Sequence, residues 1–171
     1  GGDWRDSWRA IAVLKERGVV RMGGVSNFGA RELQEAAGLG GLSVVQDWCD
    51  PFHQARDVRA VCESQDGCQF QAYSSLGDQW LYRGRGVNVV RESGVLKRIA
   101  QEKGVGVEHL VLSWQLQLGI AVVPRSKSED HVRENARLLV GEGGRVVLSE
   151  EEMAEIAGLD RMAEKVEREE L

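Results

Sequence analysis

The sequence predicts an α/β fold of the (β/α)8 TIM-barrel type, and three observations favour it. Short apolar strands alternate with amphipathic helices, which parallel strands need as crossovers. Polar residues follow each strand at its carboxyl end, where α/β folds bind their ligands. The Gly-x-Gly-x-x-Gly segment of dinucleotide-binding open sheets follows none of these strands. A barrel is therefore favoured over an open sheet.

The first part of the chain reads as a helix followed by repeating strands and helices. The opening helix has acidic residues in its first turn and stops before Gly18, both typical of helix ends. Apolar residues recur at helical spacing in the helices and run together in the strands. The predicted helices are 3–17, 31–37 and 56–65, and the predicted strands are 19–25, 43–46 and 69–74.

The second part begins with a loop at 75–88 that is rich in Gly and Arg, and long loops in compact domains are usually functional or disordered. Helices are predicted at 89–102, 107–117, 129–139 and 149–157, and a strand at 120–123 is stopped by Pro124. Ser149 and Glu152 have the spacing of a capping box, which marks the start of the last helix. Residues 161–171 form an acidic tail that we expect to face solvent.

The chain of 171 residues is long enough for one core, so a single domain over 1–171 is predicted. A closed barrel of eight strands typically takes about 250 residues, whereas this chain supplies about four strand–helix units. The prediction is a partial barrel with two unpaired strand edges, which a protein partner could cover.

Composition excludes several functional classes. The net charge is −5, and the 22 basic residues are scattered instead of forming an aromatic-interleaved stripe, so no nucleic-acid partner is predicted. No apolar run approaches the roughly 20 residues of a membrane helix, and no export signal is visible at the start. Cys49, Cys62 and Cys68 lack metal-ligand spacing, so no metal site is predicted and a reducing compartment is indicated. We expect a cytoplasmic protein, with an organelle as the alternative.

Four motifs occur in order: GGVSNF at 23–28, VVQDWCDP at 44–51, YSSLG at 73–77, and VPRS at 123–126 followed by Glu134 and Asn135. Together they resemble the carboxyl-terminal half of an aldo-keto reductase, the family of NADPH-dependent barrels. Taken alone, Ser26 and Asn27 could equally be a strand-ending turn or a helix cap. Four ordered motifs favour a ligand-binding edge instead.

The resemblance implies a cofactor site, with NADPH as the expected cofactor and NADH possible. It implies that Ser26, Asn27 and Gln46 hydrogen-bond the nicotinamide carboxamide. Tyr73 would stack on the nicotinamide ring, and Ser74 and Leu76 would line the pyrophosphate path. It also implies that Arg125 and Ser126 bind the 2′-phosphate, with His131 at a neighbouring position. Glu134 and Asn135 would hold the adenine. These residue types suit the task, because amides donate and accept hydrogen bonds and a guanidinium binds phosphate bidentately.

Several residues depart from the family pattern. Asp50 stands where the family often has His, and Ser75 replaces a Pro, which we expect to change only local stiffness. Asp78 follows the pyrophosphate motif, where an unpaired carboxylate would repel phosphate. His131 replaces a frequent Arg of the 2′-phosphate site, and Arg133 is predicted to lie on a different helix face.

The family's catalytic Tyr, Lys, Asp and His belong to the first half of the barrel, and no motif of this chain matches them. No catalytic residue is therefore predicted here. The resemblance implies an NAD(P)H-dependent oxidoreductase that reduces an aldehyde or ketone to an alcohol, with this chain supplying the cofactor-binding half. The alternative is a catalytically inactive structural or regulatory subunit of a larger assembly.

Overall fold

The computed structural model describes residues 3–84, 86–138 and 144–160. The helices are α1 Trp4–Glu16, α2 Ala30–Gly38, α3 Arg56–Glu63, α4 Asp78–Tyr82, α5 Val89–Glu92, α6 Gly94–Lys103, α7 Val107–Gln117, α8 Glu129–Arg137 and α9 Glu150–Ala157. The strands are β1 Gly23–Ser26, β2 Leu42–Trp48, β3 Gln69–Tyr73 and β4 Ala121–Val122. The predicted tail at 161–171 and Leu139, the predicted end of α8, lie outside the described residues.

The four strands form one parallel sheet in the order β1-β2-β3-β4. In the register between β1 and β2, Gly24 lies opposite Val44 and Ser26 opposite Gln46. A Cβ added to Gly24 would lie only 2.7 Å from the Val44 carbonyl oxygen, so this close approach of the strands requires glycine. This sheet and its helices confirm the α/β class and agree with the predicted partial barrel.

Residue contacts divide the chain into two compact units. The first unit comprises residues 1–47 and 55–71, and the second comprises 48–54 and 72–171. The prediction of one domain over 1–171 stays a prediction.

In the first unit, α1 packs through Trp8, whose indole Nε1 donates to the carbonyl oxygen of Ala36 at 3.0 Å. Trp8 is 2% exposed and Leu33 of α2 is fully buried, which places the apolar faces of both helices in this core. The second unit has a larger core that draws on α4, α5, α6, α7 and α9. Trp114 of α7 lies in it.

The first strand begins later than predicted. Val19 and Val20 both donate backbone hydrogen bonds to the carbonyl oxygen of Leu14, at 2.9 and 3.4 Å, so they bond back to the last turn of α1. Val19 and Met22 are exposed, and the strand starts only at Gly23. The prediction of a buried strand from residue 19 was wrong because apolar composition alone does not show where the backbone groups bond.

Two further differences lie in the second unit. The predicted loop at 75–88 contains the short helix α4, and the predicted helix at 89–102 is two helices. The break falls at Ser93, whose extended backbone leaves the helical path while its hydroxyl accepts from the amide of Leu96 at 3.3 Å. The capping box of Ser149 and Glu152 is confirmed at the start of α9. Within the described part of the chain, no helix combines the length and apolarity that crossing a bilayer requires.

Candidate functional site

The first unit brings together three predicted site residues at the carboxyl ends of β1 and β2. Ser26 lies opposite Gln46 in the sheet register, and the backbone amide of Asn27 donates to the carbonyl oxygen of Gln46 at 3.0 Å. The Asn27 side-chain amide donates to the hydroxyl of Ser26 at 3.2 Å. Adjacent parallel strands therefore place one hydroxyl and two carboxamides beside one another.

The Gln46 carboxamide is held from one side only. Its Nε2 donates to Oε1 of Gln71 on β3, which orients the group. Its Oε1 has no hydrogen-bond partner among the described residues and can accept one from a ligand.

In the second unit, Ser74, Leu76 and Arg125 line a cavity of about 120 Å³. The cavity wall is completed by Ser75, Asp78, Tyr82, Val123 and Pro124. Asp78 therefore does face the space in which the resemblance would place a pyrophosphate, as the sequence suggests. Its carboxylate and the Arg125 guanidinium contribute opposite charges to the same wall.

A second cavity, of about 170 Å³, shares Leu76 and Arg125 with the first. Its other lining residues are Arg91, Glu108, Ser126, His131, Glu134 and Asn135. Seven predicted site residues of this unit therefore line two cavities that have two residues in common. Tyr73 is half-buried, packs against the core and lines neither cavity.

Some charged residues around the second cavity form ion pairs with described residues, and others do not. Arg91 pairs with Glu108, Nε to Oε1, at 3.3 Å, and neither residue was predicted from the sequence, because they come from different helices. The guanidinium of Arg125 makes no hydrogen bond or ion pair with any other residue that the structure describes. Arg133 is paired with Glu129 one helical turn away and does not line the cavity. Arg125 is thus a cation available to an anionic ligand.

The start of α8 lies at the same cavity. Ser128 caps this helix through its hydroxyl, which accepts from the amide of His131 at 3.5 Å, and Ser126 accepts from the amide of Ser128 at 3.0 Å. A helix amino terminus carries partial positive charge, which favours a phosphate beside it. His131 itself lines the cavity at the position where the family often has Arg.

Two site residues hold an unusual backbone conformation. Asn27 has φ of 59° and Ser74 has φ of 51°, and each directly follows a strand. This left-handed region is uncommon for residues other than glycine, although Asn tolerates it best. At both positions the chain turns immediately after the strand ends. Asn27 and Ser74 therefore lie at the carboxyl ends of β1 and β3.

The sequence suggests that Asp50 changes only local stiffness, but the structure gives this residue a larger role. Its carboxylate is fully buried and accepts from the indoles of Trp48 and Trp80 at 2.8 and 2.9 Å. It also accepts from the backbone amides of Phe52 and His53 at 2.8 and 3.1 Å. Burial raises the pKa of Asp50 to about 7, against these four donors, which lower it. Trp48 lies two residues from Asp50 in the sequence, whereas Trp80 lies 30 residues away, so the sequence alone does not show this burial.

Comparison with known proteins gives one consistent result. The model of the aldo/keto reductase family matches residues 3–161. Aldo-keto reductase family 1 member A1 of Sus scrofa is 26% identical over 161 residues, which are 92% of this chain and 48% of that protein. The 7-acetyl-epi-neemfruitin B aldo-keto reductase of Melia azedarach is 31% identical over 138 residues, which are 78% of this chain and 41% of that protein.

Solved structures agree with these sequence matches. The crystal structure of Gox0644 in its apo form superposes with a TM-score of 0.76 at 28% identity, covering 93% of this chain and 54% of that one. The chain therefore spans about half the length of the curated relatives and solved structures that it matches.

Proposed function

Because the chain belongs to the aldo/keto reductase family, we propose that it forms the nicotinamide-cofactor-binding half of an NAD(P)H-dependent carbonyl reductase. Members of this family typically use NADP(H), and its reductases act on aldehydes or ketones. The chain spans about half of its relatives, so the activity of the whole protein is part of the proposal. The cofactor is NADPH, with NADH as the weaker possibility.

The observation that carries the proposal is the guanidinium of Arg125, which pairs with no other described residue and lines two cavities that also share Leu76. The first cavity, with Ser74 and Leu76, would receive the pyrophosphate. The second, with Ser126 and Asn135, would receive the adenosine and its 2′-phosphate. A guanidinium fork at their junction matches phosphate geometry, and its availability means that no internal ion pair has to break on binding.

We assign the nicotinamide end to residues near the carboxyl ends of β1, β2 and β3. Ser26, Asn27 and Gln46 present a hydroxyl and two carboxamides, which complement the donors and acceptors of a nicotinamide carboxamide. Tyr73, at the end of β3, would offer its ring face for stacking. These contacts would fix which face of the nicotinamide meets the substrate.

When bound, the cofactor supplies the hydride that converts the carbonyl to an alcohol. The residues of this chain orient it and hold its phosphates. The family's catalytic Tyr, Lys, Asp and His would come from residues outside this chain, since no motif here matches them. The Tyr would protonate the carbonyl oxygen as a general acid.

The first prediction tests Arg125 by comparing two cofactors. We expect Arg125→Ala to raise the Kd for NADPH at least about tenfold, which corresponds to about 1.4 kcal/mol, and to leave the Kd for NADH within about twofold. The reason is that only NADPH carries the 2′-phosphate. Quenching of tryptophan fluorescence measures both constants in a protein shown to be folded by circular dichroism.

Arg133→Ala is the matched control, because Arg133 lies in α8, shortly after Arg125 in the sequence, but pairs with Glu129 and does not line the cavity. It should change neither constant. Equal losses for both cofactors in Arg125→Ala, or no loss, would contradict the assigned role of Arg125. A folded wild-type protein that neither cofactor quenches would favour the alternative of a catalytically inactive subunit.

A further inference from the structure

Two cysteines of the first unit lie with their sulfur atoms almost in bonding range. Sγ of Cys62, at the end of α3, is 2.8 Å from Sγ of Cys68, just before β3. A disulfide bond measures about 2.05 Å, so the sulfurs need to move by less than about 1 Å to form one. Both are thiols in this structure.

The short segment between them is ordered by its own hydrogen bonds. The amide of Gln65 donates to the carbonyl oxygen of Cys62 at 3.0 Å, and the amide of Cys68 donates to that of Gln65 at 3.1 Å. Gly67, with φ of 69°, makes the reversal that returns the chain to β3. This turn brings the two side chains together, so the proximity is built into the backbone.

The two thiols differ in access. Cys62 is 1% exposed, whereas Cys68 is only half-buried. Burial, followed by the contact with Cys68, raises the pKa of Cys62 to about 12, so this thiol stays protonated and unreactive toward a dissolved oxidant. An external disulfide would therefore meet Cys68 first.

We propose that Cys62 and Cys68 form a reversible redox pair, which a small-molecule disulfide of the glutathione type converts to an intramolecular disulfide. The pair lies at the amino end of β3, whereas the predicted cofactor residue Tyr73 ends that strand and Ser74 and Leu76 follow its carboxyl end. It is therefore a modification site separate from the proposed cofactor site.

The exchange balances in two steps. The thiolate of Cys68 attacks one sulfur of oxidised glutathione, forming a mixed disulfide and releasing one glutathione thiolate, which takes up a proton. The sulfur of Cys62 then attacks Sγ of Cys68 and expels the second glutathione, which leaves as a thiol with the proton of Cys62. The protein loses two protons and two electrons, and the oxidised glutathione gains them to become two thiols.

The experiment incubates the folded protein with oxidised glutathione and then alkylates the remaining thiols. We expect two of the three thiols to disappear, and the intact mass to fall by two hydrogens without a retained glutathione. A protease that cleaves after glutamate at Glu63 separates the two cysteines. The peptides that contain them should then stay linked until a reductant is added.

Cys49→Ala is the matched control, since Cys49 is fully buried and belongs to the other unit; the variant should lose both remaining thiols. Cys62→Ser should instead retain one glutathione on Cys68. Three intact thiols in the wild type, a stable glutathione adduct on it, or linkage of Cys49 to either cysteine would overturn the proposal. If Cys62→Ser does not fold, the wild-type digest and Cys49→Ala still decide.

Discussion

Asp50 shows how one residue can depend on its surroundings for its charge. A carboxyl group buried among two indoles and two backbone amides loses the solvation that favours its ionised form. Because burial is the largest influence, its pKa in the folded protein is about 7, well above its ordinary value. The folded and the unfolded protein therefore bind different numbers of protons at Asp50 between about pH 4 and pH 7.

The second prediction concerns this pH window. There the folded state binds more protons at Asp50 than the unfolded state, so the free energy of unfolding falls as the pH rises, by at most about 1.4 kcal/mol per unit. The contribution is complete below about pH 4 and lost above about pH 7. Asp50→Asn cannot titrate, so its stability should lack this decline.

Urea unfolding of both proteins from pH 4 to pH 8 measures the difference. Glu35, Glu92 and Glu152, whose pKa values are lowered by ion pairs, are present in both proteins and cancel in the comparison. The advantage of the wild type over Asp50→Asn should shrink as the pH rises. Parallel pH profiles would show that Asp50 does not titrate in this window.

At the scale of elements, the turn from β3 into α4 carries residues that line the two cavities. Gly77 caps α4 with φ of 80°, a conformation in which a side chain is strained. A Cβ at this position would lie 2.5 Å from Oδ1 of Asn88 and 2.9 Å from Cβ of Val90. Asn88 in turn caps α5 and donates to the carbonyl oxygen of Leu76 at 2.8 Å.

The third prediction follows from this packing. Gly77→Ala should lower the free energy of unfolding by about 2–4 kcal/mol, because backbone strain adds to the overlap with Asn88 and Val90. Gly104→Ala is the control, because Gly104 has φ of 68° but no atom within 4 Å of the added Cβ. It should cost only about 1–2 kcal/mol. Chemical denaturation measures both, and equal losses would mean that the overlap relaxes freely.

At the scale of the whole molecule, Gln54 joins parts of the second unit that lie more than 100 residues apart in sequence. Its side-chain Nε2 donates to the carbonyl oxygens of Pro51 and Ile156, both at 2.9 Å, and its backbone amide donates to Asp160 at 2.9 Å. The residue is 2% exposed, so water cannot replace these bonds. It fixes the segment after β2 to the end of α9.

The fourth prediction is that Gln54→Leu, although similar in volume, destabilises the protein by about 1–3 kcal/mol. The buried carbonyl oxygen of Pro51 would lose the donor that Gln54 supplies, whereas that of Ile156 would keep the amide of Leu159 at 3.1 Å. The unsatisfied buried group carries most of the cost. Gln101→Leu, at an exposed position of α6, should change stability by no more than about 0.5 kcal/mol. A shift of the denaturation midpoint that is equal in both variants would refute the anchoring role of Gln54.

The alternation of strands and helices, the partial barrel and the family were predictable from the sequence, whereas α4 and the break between α5 and α6 were not. The evidence was local: apolar periodicity, the capping pair of Ser149 and Glu152, and four ordered motifs. Such patterns depend on the order of residues along the chain, so the sequence contains them. The cofactor roles of residues such as Asn27 and Arg125 stay predictions, although the structure places Arg125 at two cavities.

Tertiary structure alone decided the rest. Residues 19–20 bond back to Leu14 instead of starting a strand, and Asp50 is buried between Trp48 and Trp80. Cys62 meets Cys68 because a turn folds one toward the other. In each case the outcome depends on which groups the folded backbone brings within hydrogen-bonding or bonding distance. Composition and spacing along the chain do not contain those distances, and the burial that shifts a pKa exists only once the core has formed.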